Sequence, residues 1–227
     1  MSDYTYEQIA KLIDHSLLDP TLTDEALEAG CQLARRYNVA SVCIKPYYLA
    51  RCVELLAGST VEPSTTIGFP HGAQTTAIKR HEAEEALGLG ATELDMVINI
   101  GKALSGDWHY VAADIRSVVD AAHERGKLVK VILENCYLND EQKIRLCQIC
   151  GELRADFVKT STGYGSSGAT HDDLRLMRAH SPPTVRVKAA GGVRTFDQLL
   201  AVRALGVSRI GASRTAEILD ECRRRLS

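Results

Sequence analysis

Short runs rich in apolar and β-branched residues recur along the chain, separated by longer segments with helical periodicity. ASVCIK at 40–45 and KLVKVILE at 127–134 are two such runs, and runs of this kind are typical of buried strands. In the longer segments apolar residues recur every three or four positions, as Leu27, Cys31 and Ala34 do, which indicates amphipathic helices. Successive strands are therefore separated by about 25 to 30 residues, most of them helical.

The full pattern predicts alternating strands and helices in one domain. Strands are expected at 13–18, 40–45, 64–69, 92–99, 127–134, 157–160, 185–190 and 209–212, and helices at 5–13, 24–37, 47–57, 75–89, 107–124, 139–153, 171–180, 195–205 and 215–226. Such alternation favours a parallel sheet with helices outside it. About eight units in 227 residues suit a (β/α)8 TIM barrel spanning 1–227, with a short N-terminal helix. A doubly wound open sheet is the alternative, because strand counts from one sequence err easily.

The composition is that of a soluble globular protein, with 45% hydrophobic and 25% charged residues. The net charge of −2 offers no basic patch for nucleic acid or for an anionic membrane. The N-terminal segment has no apolar signal core and no stretch reaches membrane-spanning length, so we expect a cytoplasmic location. The seven scattered cysteines argue against a disulfide framework. Cys147 and Cys150 form a CxxC within a helical pattern, where small apolar packing is favoured over zinc binding or redox use.

Charged residues occupy positions of these strands that a barrel turns inward. In 92–99, Glu93 and Asp95 alternate with Leu94 and Met96, and the same period-two rule applies to the other strands. If the apolar set packs on the helices, the polar set faces the barrel interior near the carboxyl ends of the strands, where active sites of this fold lie. The residues brought together in this way would be Asp14, Asp95, Lys130, Lys159 and Lys188.

A lysine among these could act as a nucleophile. Lys159 ends the strand in DFVKTSTGYGSSG, and burial of an ammonium disfavours its charged form. With Lys188 nearby to lower its pKa further, Lys159 would attack a carbonyl group. Asp95 could move protons, Asp14 could anchor Lys188, and Lys130 has no certain role. Two structural alternatives remain open: Lys159 could extend to the rim, and the cluster could be purely structural.

Glycine-rich loops follow the last three strands. Loops after strands seven and eight commonly bind phosphate in these barrels, through backbone N–H groups and helix N-termini. Ordinary turn glycines are the alternative.

The pattern GxGxxG formed by Gly163, Gly165 and Gly168 also suggests a dinucleotide site, but Lys188 stands where that site requires an acid. Cys43, on the interior face of strand two, either lines the pocket or fills the core. The expected substrate contacts are Asp14, Cys43, Lys130, Thr162, Gly163, Gly191, Gly192, Arg194, Gly211 and Ser213.

Four separated motifs resemble the deoxyribose-phosphate aldolase family: IDHSLL around Asp14, ELDMVIN around Asp95, VKTSTGYG around Lys159 and KAAGG around Lys188. The resemblance runs from strand one to strand eight. It implies a class I aldolase on a (β/α)8 barrel, without metal or cofactor. Such an enzyme interconverts 2-deoxy-D-ribose 5-phosphate with glyceraldehyde 3-phosphate and acetaldehyde, so its partners would be a small phosphorylated sugar and aldehydes. We also expect a homo-oligomer, either a dimer or a tetramer.

The same resemblance assigns roles to single residues. Lys159 resembles the Schiff-base lysine, Asp95 the proton-relay acid, and Lys188 the lysine that lowers the nucleophile's pKa. The glycines and Ser213 resemble phosphate-loop positions. Two residues depart from the pattern: Tyr164 stands where some members have lysine, and Arg214 where some have a second serine, although Arg214 could supply a cation. Another lysine aldolase of this fold, and a non-catalytic phosphosugar-binding module, are the rival functions.

Overall fold

The computed structural model describes residues 4–226 and contains one closed barrel of eight parallel strands. Each strand pairs with its neighbours in chain order, and the eighth pairs with the first, Ile13 lying opposite Ile210. The predicted (β/α)8 barrel is confirmed, and this closure excludes the open sheet. The strands are β1 (Ile13–Leu17), β2 (Ser41–Ile44), β3 (Glu62–Ile67), β4 (Glu93–Val97), β5 (Leu128–Ile132), β6 (Phe157–Lys159), β7 (Arg186–Ala190) and β8 (Val207–Ala212).

Helices surround the barrel, and most begin at side chains that the sequence marks as caps. Thr5 with Gln8, Asn139 with Gln142, and Thr195 with Gln198 each form a reciprocal capping box. The helices are α1 (Tyr6–Ala10), α2 (Asp24–Tyr37), α3 (Leu49–Leu56), α4 (Thr76–Gly88), α5 (Ile100–Leu104), α6 (Trp108–His123), α7 (Asp140–Glu152), α8 (His171–His180), α9 (Phe196–Ala204) and α10 (Thr215–Leu226). No helix within residues 4–226 combines the length and apolar composition needed to cross a membrane.

The structure differs from the sequence prediction after β4. The predicted strand 92–99 ends at Val97, and the short helix α5, which the pattern did not predict, follows it. Asn99 is responsible, because its side chain accepts a hydrogen bond from the N–H of Lys102 at 3.0 Å and so caps a helix. The site residues of β4 lie before this point and keep their predicted alternation.

The side chains of the strands form two layers, one that faces the helices and one that faces the barrel interior. Outward-facing apolar residues such as Leu94, Met96, Val129 and Val131 join the hydrophobic core between barrel and helices. Cys147 and Cys150 are buried in the same core as free thiols, in agreement with the packing interpretation. The inward-facing residues of the same strands include Glu93, Asp95 and Lys130, so the barrel interior must satisfy buried charges by pairing them.

Candidate active site

The strand register brings the predicted polar residues into one interior layer. Asp95 lies opposite Lys130 across β4 and β5, and Lys159 lies opposite Lys188 across β6 and β7. Asp14 joins them from β1, where it is paired with Gly211 of β8. Four of the five side chains are fully buried, and Lys159 retains only 3% exposure. The lysine thus does not extend to the rim, and five strands contribute to a single cluster of charges.

One carboxylate oxygen links the two predicted catalytic lysines. Asp95 Oδ2 lies 2.8 Å from Lys159 Nζ and 2.7 Å from Lys188 Nζ. Lys188 Nζ also lies 2.5 Å from Asp14 Oδ2, which is the anchoring contact expected for Asp14. A proton on either amine can therefore pass to the other through one oxygen atom.

The electrostatics of this pair differ from the expectation for Lys159. Burial, with the nearby charges of Lys130 and Lys159, lowers the pKa of Lys188 despite its two carboxylate neighbours. Burial also acts to lower the pKa of Lys159, but the Asp95 carboxylate outweighs it and the net shift is upward. The sequence pattern did not anticipate that Asp95 would contact Lys159 directly. Lys188 is therefore the weaker base of the two amines, and the shared Asp95 oxygen gives a path by which a proton could exchange between them.

In the resting site Asp14 and Asp95 are held as carboxylates, and Lys130 is held as an ammonium group. Burial alone would raise the pKa of Asp95 and of Asp14, but the surrounding lysines lower both pKa values well below their ordinary range. Lys130 Nζ lies 2.6 Å from Glu93, 2.9 Å from Asp95 and 3.0 Å from Asp14. These three acids outweigh its burial and raise its pKa well above the ordinary value. Lys130 is therefore a permanent counter-ion.

Two charged residues of the cluster were missed by the sequence analysis. Arg209 donates hydrogen bonds to Asp14 at 2.6 Å and to both oxygens of Glu93, at 2.9 and 3.1 Å. The alternation of 92–99 did place Glu93 on the inner face. Its partner could not be recognised, because Arg209 begins the predicted eighth strand, and strand ends are the least certain positions in a sequence pattern.

A cavity of about 460 Å³ opens above Lys159 at the carboxyl ends of the strands. The expected loop residues surround it: Thr162, Gly163, Gly191, Gly192, Arg194, Gly211 and Ser213. Ser16, Leu18, Asp19 and Pro20, from β1 and the loop after it, complete the wall and were not predicted. Asp14, Cys43 and Lys130, which were expected to contact substrate, are fully buried and do not line the cavity. They lie below it because their strand positions precede the mouth.

The glycine loops pack closely against each other. A Cβ atom on Gly168 would lie 2.5 Å from the carbonyl carbon of Gly191, so the loop after β6 can reach the loop after β7 only with glycine at this position. Gly191 and Gly192 have positive φ angles of 75° and 95°, which a side chain disfavours. The GxGxxG pattern is therefore accounted for by loop packing, and Lys188 occupies the ion cluster. The dinucleotide alternative finds no support here.

The loop after β6 is held by contacts from three other loops. Glu134, buried at the end of β5, accepts hydrogen bonds from the N–H and the hydroxyl of Thr162. Thr162 Oγ1 in turn accepts from the N–H of Tyr164 at 2.9 Å. The Tyr164 hydroxyl donates to the carbonyl of Leu18 at 2.6 Å, and its ring meets that of Phe69 edge-on at 5.5 Å.

The two departures from the family pattern thus have different outcomes. Tyr164 lines the cavity and fixes a loop across its mouth, although it carries no charge for a phosphate. Arg214 is exposed and does not line the cavity, so the expectation that it supplies a cation is not met. Arg194 is a cationic residue of the cavity wall and lies next to the glycines that follow β7.

No group of three or more His, Cys, Asp and Glu residues within 4–226 is arranged to hold a metal ion. The three interior acids surround Lys130 instead.

The sequence pattern of DeoC/LacD family aldolases matches residues 8–213 of this chain. The chain belongs to the DeoC/LacD aldolase family. It is 62% identical over its whole length to deoxyribose-phosphate aldolase of Rhodopirellula baltica, covering 94% of that protein. It is 48% identical to the Thermococcus gammatolerans enzyme of the same name, covering 95% of this chain and 96% of the relative.

A solved structure gives the same assignment. The tetrameric deoxyribose phosphate aldolase of Aeropyrum pernix superposes with a TM-score of 0.89 at 30% identity, over 96% of this chain and 92% of that one. The resemblance inferred from four motifs is therefore confirmed at the level of the family. For a DeoC/LacD aldolase, the observation that matters most is the buried lysine at the floor of the cavity, beside a second lysine and an acid.

Proposed function

We propose that this chain cleaves 2-deoxy-D-ribose 5-phosphate reversibly to D-glyceraldehyde 3-phosphate and acetaldehyde, through an imine on Lys159. The observation that supports this most directly is the position of Lys159 at the cavity floor, with Lys188 and Lys159 sharing Asp95 Oδ2. Binding alone does not require two buried amines around one acid. Imine chemistry requires a neutral amine, a place for its proton and a proton donor for the departing water.

The first stage forms the imine. Lys159, neutral after its proton has passed to the Asp95–Lys188 pair, adds to the aldehyde carbon of the open-chain sugar. On addition Lys159 gives up a second proton to the aldehyde oxygen, and the proton already held by the Asp95–Lys188 pair completes the water molecule, which leaves. The product is a protonated imine, whose positive charge lies beside the Asp95 carboxylate that had faced the ammonium. The site is thus already complementary to the charge that develops.

The second stage breaks the bond between carbons two and three. A base removes the proton from the hydroxyl on carbon three, and the electron pair of the breaking bond moves into the protonated imine. D-Glyceraldehyde 3-phosphate leaves and an enamine remains on Lys159. Protonation of its terminal carbon, followed by addition of water to the imine, releases acetaldehyde and restores the amine. We assign the proton transfers to Asp95, directly or through a water molecule.

The phosphate is assigned to the glycine loops at the other end of the cavity. Gly163, Gly191 and Gly192 leave backbone open to the cavity, and Arg194 adds a positive charge. Backbone N–H groups in such loops bind phosphate oxygens without requiring many cations. Asp14 and Lys130 are assigned to supporting the catalytic groups from below, since neither lines the cavity.

The remaining assignments concern the setting of the enzyme. We propose that residues 1–227 act as one catalytic domain, in the cytoplasm, as a homo-oligomer. The Aeropyrum pernix relative is tetrameric, which makes a dimer or tetramer a reasonable expectation for this chain. The net charge of −2 continues to argue against nucleic acid as a partner.

An aldol assay with acetaldehyde and D-glyceraldehyde 3-phosphate tests the function. The wild type should form 2-deoxy-D-ribose 5-phosphate, while Lys159→Ala and Lys188→Leu should lose most of the activity and remain folded by circular dichroism. A lysine aldolase of different specificity would show turnover only with a larger ketone. A non-catalytic phosphosugar-binding protein would show no turnover, and its affinity for the sugar phosphate would survive Lys159→Ala.

A further inference from the structure

Arg209 and Glu93 form an ion pair below the catalytic layer, at the amino-terminal end of the strands. Glu93 precedes Asp95 by two residues on β4, which places it about 7 Å further down the same inner face. Both side chains are buried, and neither lines the cavity. The Arg209 guanidinium contacts both oxygens of Glu93, a geometry that fixes its position. The pair therefore cannot touch substrate and must act, if it acts, through other groups.

The pair is connected to Lys159 by an unbroken series of contacts. Arg209 bonds Asp14 at 2.6 Å, and Asp14 bonds Lys188 at 2.5 Å. Lys188 and Lys159 then share the oxygen of Asp95. Lys130 contacts all three acids of this series and links its two ends. Any charge change at Arg209 or Glu93 is thus transmitted through buried groups that water does not screen.

The charges of this cluster do not balance. Three carboxylates, Asp14, Glu93 and Asp95, face four cations, Lys130, Lys159, Lys188 and Arg209, so the fully protonated cluster carries one positive charge. An uncompensated buried charge is unfavourable, and loss of a single proton removes it. Arg209 keeps its proton at any ordinary pH, and Lys130 is held by three acids. The proton is therefore lost from the Lys159–Lys188 pair.

The other groups that face the cluster do not change this count. Cys43 on β2 faces Lys159 as a buried thiol, and burial raises its pKa, so it stays neutral. Ser41 and Ser64 donate neutral hydrogen bonds to Asp14 and Asp95. Arg186 of β7 stacks on the Phe157 ring at 3.9 Å and is partly exposed at the lower end, as are Lys11 and Asp156. Glu62 is exposed at the start of β3. Solvent weakens the effect of these last four charges, and they are the same in every variant compared below.

We infer that the Arg209–Glu93 pair sets the charge of the interior cluster and thereby the number of protons that the two catalytic lysines hold. Arg209 and Glu93 are then positioning residues for the reaction. The inference rests on the proposed function for its catalytic meaning, but the proton count itself is independent of which carbonyl compound the enzyme uses.

Removal of the Glu93 charge and removal of the Arg209 charge should change the number of protons on the two lysines in opposite directions. In Glu93→Gln the protonated cluster carries two positive charges, so Lys159 becomes neutral at lower pH. In Arg209→Met the protonated cluster is already neutral, so Lys159 stays protonated to higher pH. We expect shifts of about one pH unit each way, the order of a unit charge at this distance in a protein interior. A merely structural role would weaken both variants without opposite shifts.

The measurement is competitive acetylation of Lys159 by acetic anhydride across pH, read by mass spectrometry of the tryptic peptide. This readout does not depend on aldolase activity, so it separates failure of this inference from failure of the proposed function. Arg145 and Glu152 provide a matched control, because they form an exposed pair with the same 2.9 Å separation on α7. Glu152→Gln and Arg145→Met should leave the Lys159 profile unchanged.

The double variant Glu93→Gln/Arg209→Met restores the charge count and should return the profile close to that of the wild type. Shifts in the same direction, or no shift in folded single variants, would overturn the inference. If the single variants fail to fold, ¹⁵N NMR titration of the lysine Nζ atoms in the wild type decides the matter. One proton should leave the three interior lysines between about pH 6 and pH 10. Loss of none, or of two, would contradict the charge count.

Discussion

Two buried lysines, Lys79 in the helical layer and Lys159 in the barrel, differ in the balance of charge around them. Lys79 of α4 lies 2.5 Å from Asp114 of α6 and 2.9 Å from the carbonyl oxygen of Val97. Asp114 also accepts a hydrogen bond from Thr76 at 3.0 Å. This is one cation with one anion, and both side chains are fully buried. Lys159 belongs instead to a cluster in which cations exceed anions by one.

The comparison shows that burial alone does not make a lysine reactive. A one-to-one pair stabilises the ammonium, and removal of the proton would leave an unpaired buried carboxylate. In the barrel interior the reverse holds, because loss of one proton neutralises the cluster. The relevant variable is the local balance of charge.

The largest expected contrast comes from the same substitution at both lysines. Lys159→Met should reduce cleavage of 2-deoxy-D-ribose 5-phosphate by about 10³-fold or more, because the nucleophile is gone. It should not lower the melting temperature, because it removes the excess buried charge. Lys79→Met should cost about 3–5 kcal/mol of stability by leaving Asp114 unpaired, with near-normal turnover per folded molecule. Assays at matched concentration of folded protein check the two predicted activities, and thermal melts check the two predicted stabilities. Loss of turnover in folded Lys79→Met would contradict the distinction between the two lysines.

Asp95 and Asp114, the acids that pair with the two lysines, give the next largest expected difference in kcat. Asp95→Asn should lower kcat by about 10²- to 10⁴-fold, since the proton-transfer group is removed while its size is kept. Asp114→Asn, the matched control in the helical layer, should lower stability and leave kcat within about twofold. Single-turnover cleavage separates chemistry from product release. Equal losses of kcat in the two variants would mean that Asp95 acts only in folding.

Glu134 provides a smaller effect, limited to substrate binding. Its backbone has a positive φ of 56°, unusual for a residue with a side chain, and its carboxylate holds Thr162. Glu134→Gln replaces one acceptor by a donor, so the loop carrying Gly163 should loosen. We expect KM for the phosphorylated sugar to rise by about tenfold while that for unphosphorylated 2-deoxyribose changes little. Glu141→Gln, at an exposed position of α7, is the control; an equal rise for both sugars would place the effect away from the phosphate.

The smallest expected effect is at the rim. Arg194→Ala should raise KM for the phosphorylated sugar by about three- to fivefold and flatten its dependence on salt, because exposed charges are screened. Arg214→Ala should leave both unchanged, since that side chain does not line the cavity. Measurements of KM at low and high ionic strength check the pair of variants. A larger effect at Arg214 would show that the phosphate binds elsewhere.

Much of this arrangement was predictable from periodicity. Because side chains alternate along a strand, the inward positions of Asp95, Lys130 and Lys188 followed from the apolar residues between them. The barrel followed from the number of strand–helix units. The capping boxes at Thr5 and Thr195 mark helix starts, because each is formed by residues only three positions apart in the sequence.

The unpredicted features all depend on contacts between distant parts of the chain. Arg209 and Glu93 are 116 residues apart, and no local pattern indicates that they meet. The upward shift in the pKa of Lys159 depends on its 2.8 Å contact with the Asp95 carboxylate, which only the three-dimensional register determines. The loop after β1 has no motif of its own, and its place in the cavity wall follows from the Tyr164–Leu18 hydrogen bond.

Imine trapping tests the role of Lys159 most directly. Acetaldehyde is added to the wild type with sodium borohydride, which reduces an imine to a stable ethylated lysine, and the modified peptide is located by mass spectrometry. Because the cluster can release one proton and Lys159 is the interior lysine that lines the cavity, we expect a single ethyl group on Lys159, with Lys79 unmodified. An adduct on Lys188 or Lys130 in place of Lys159, or the absence of any adduct, would contradict it.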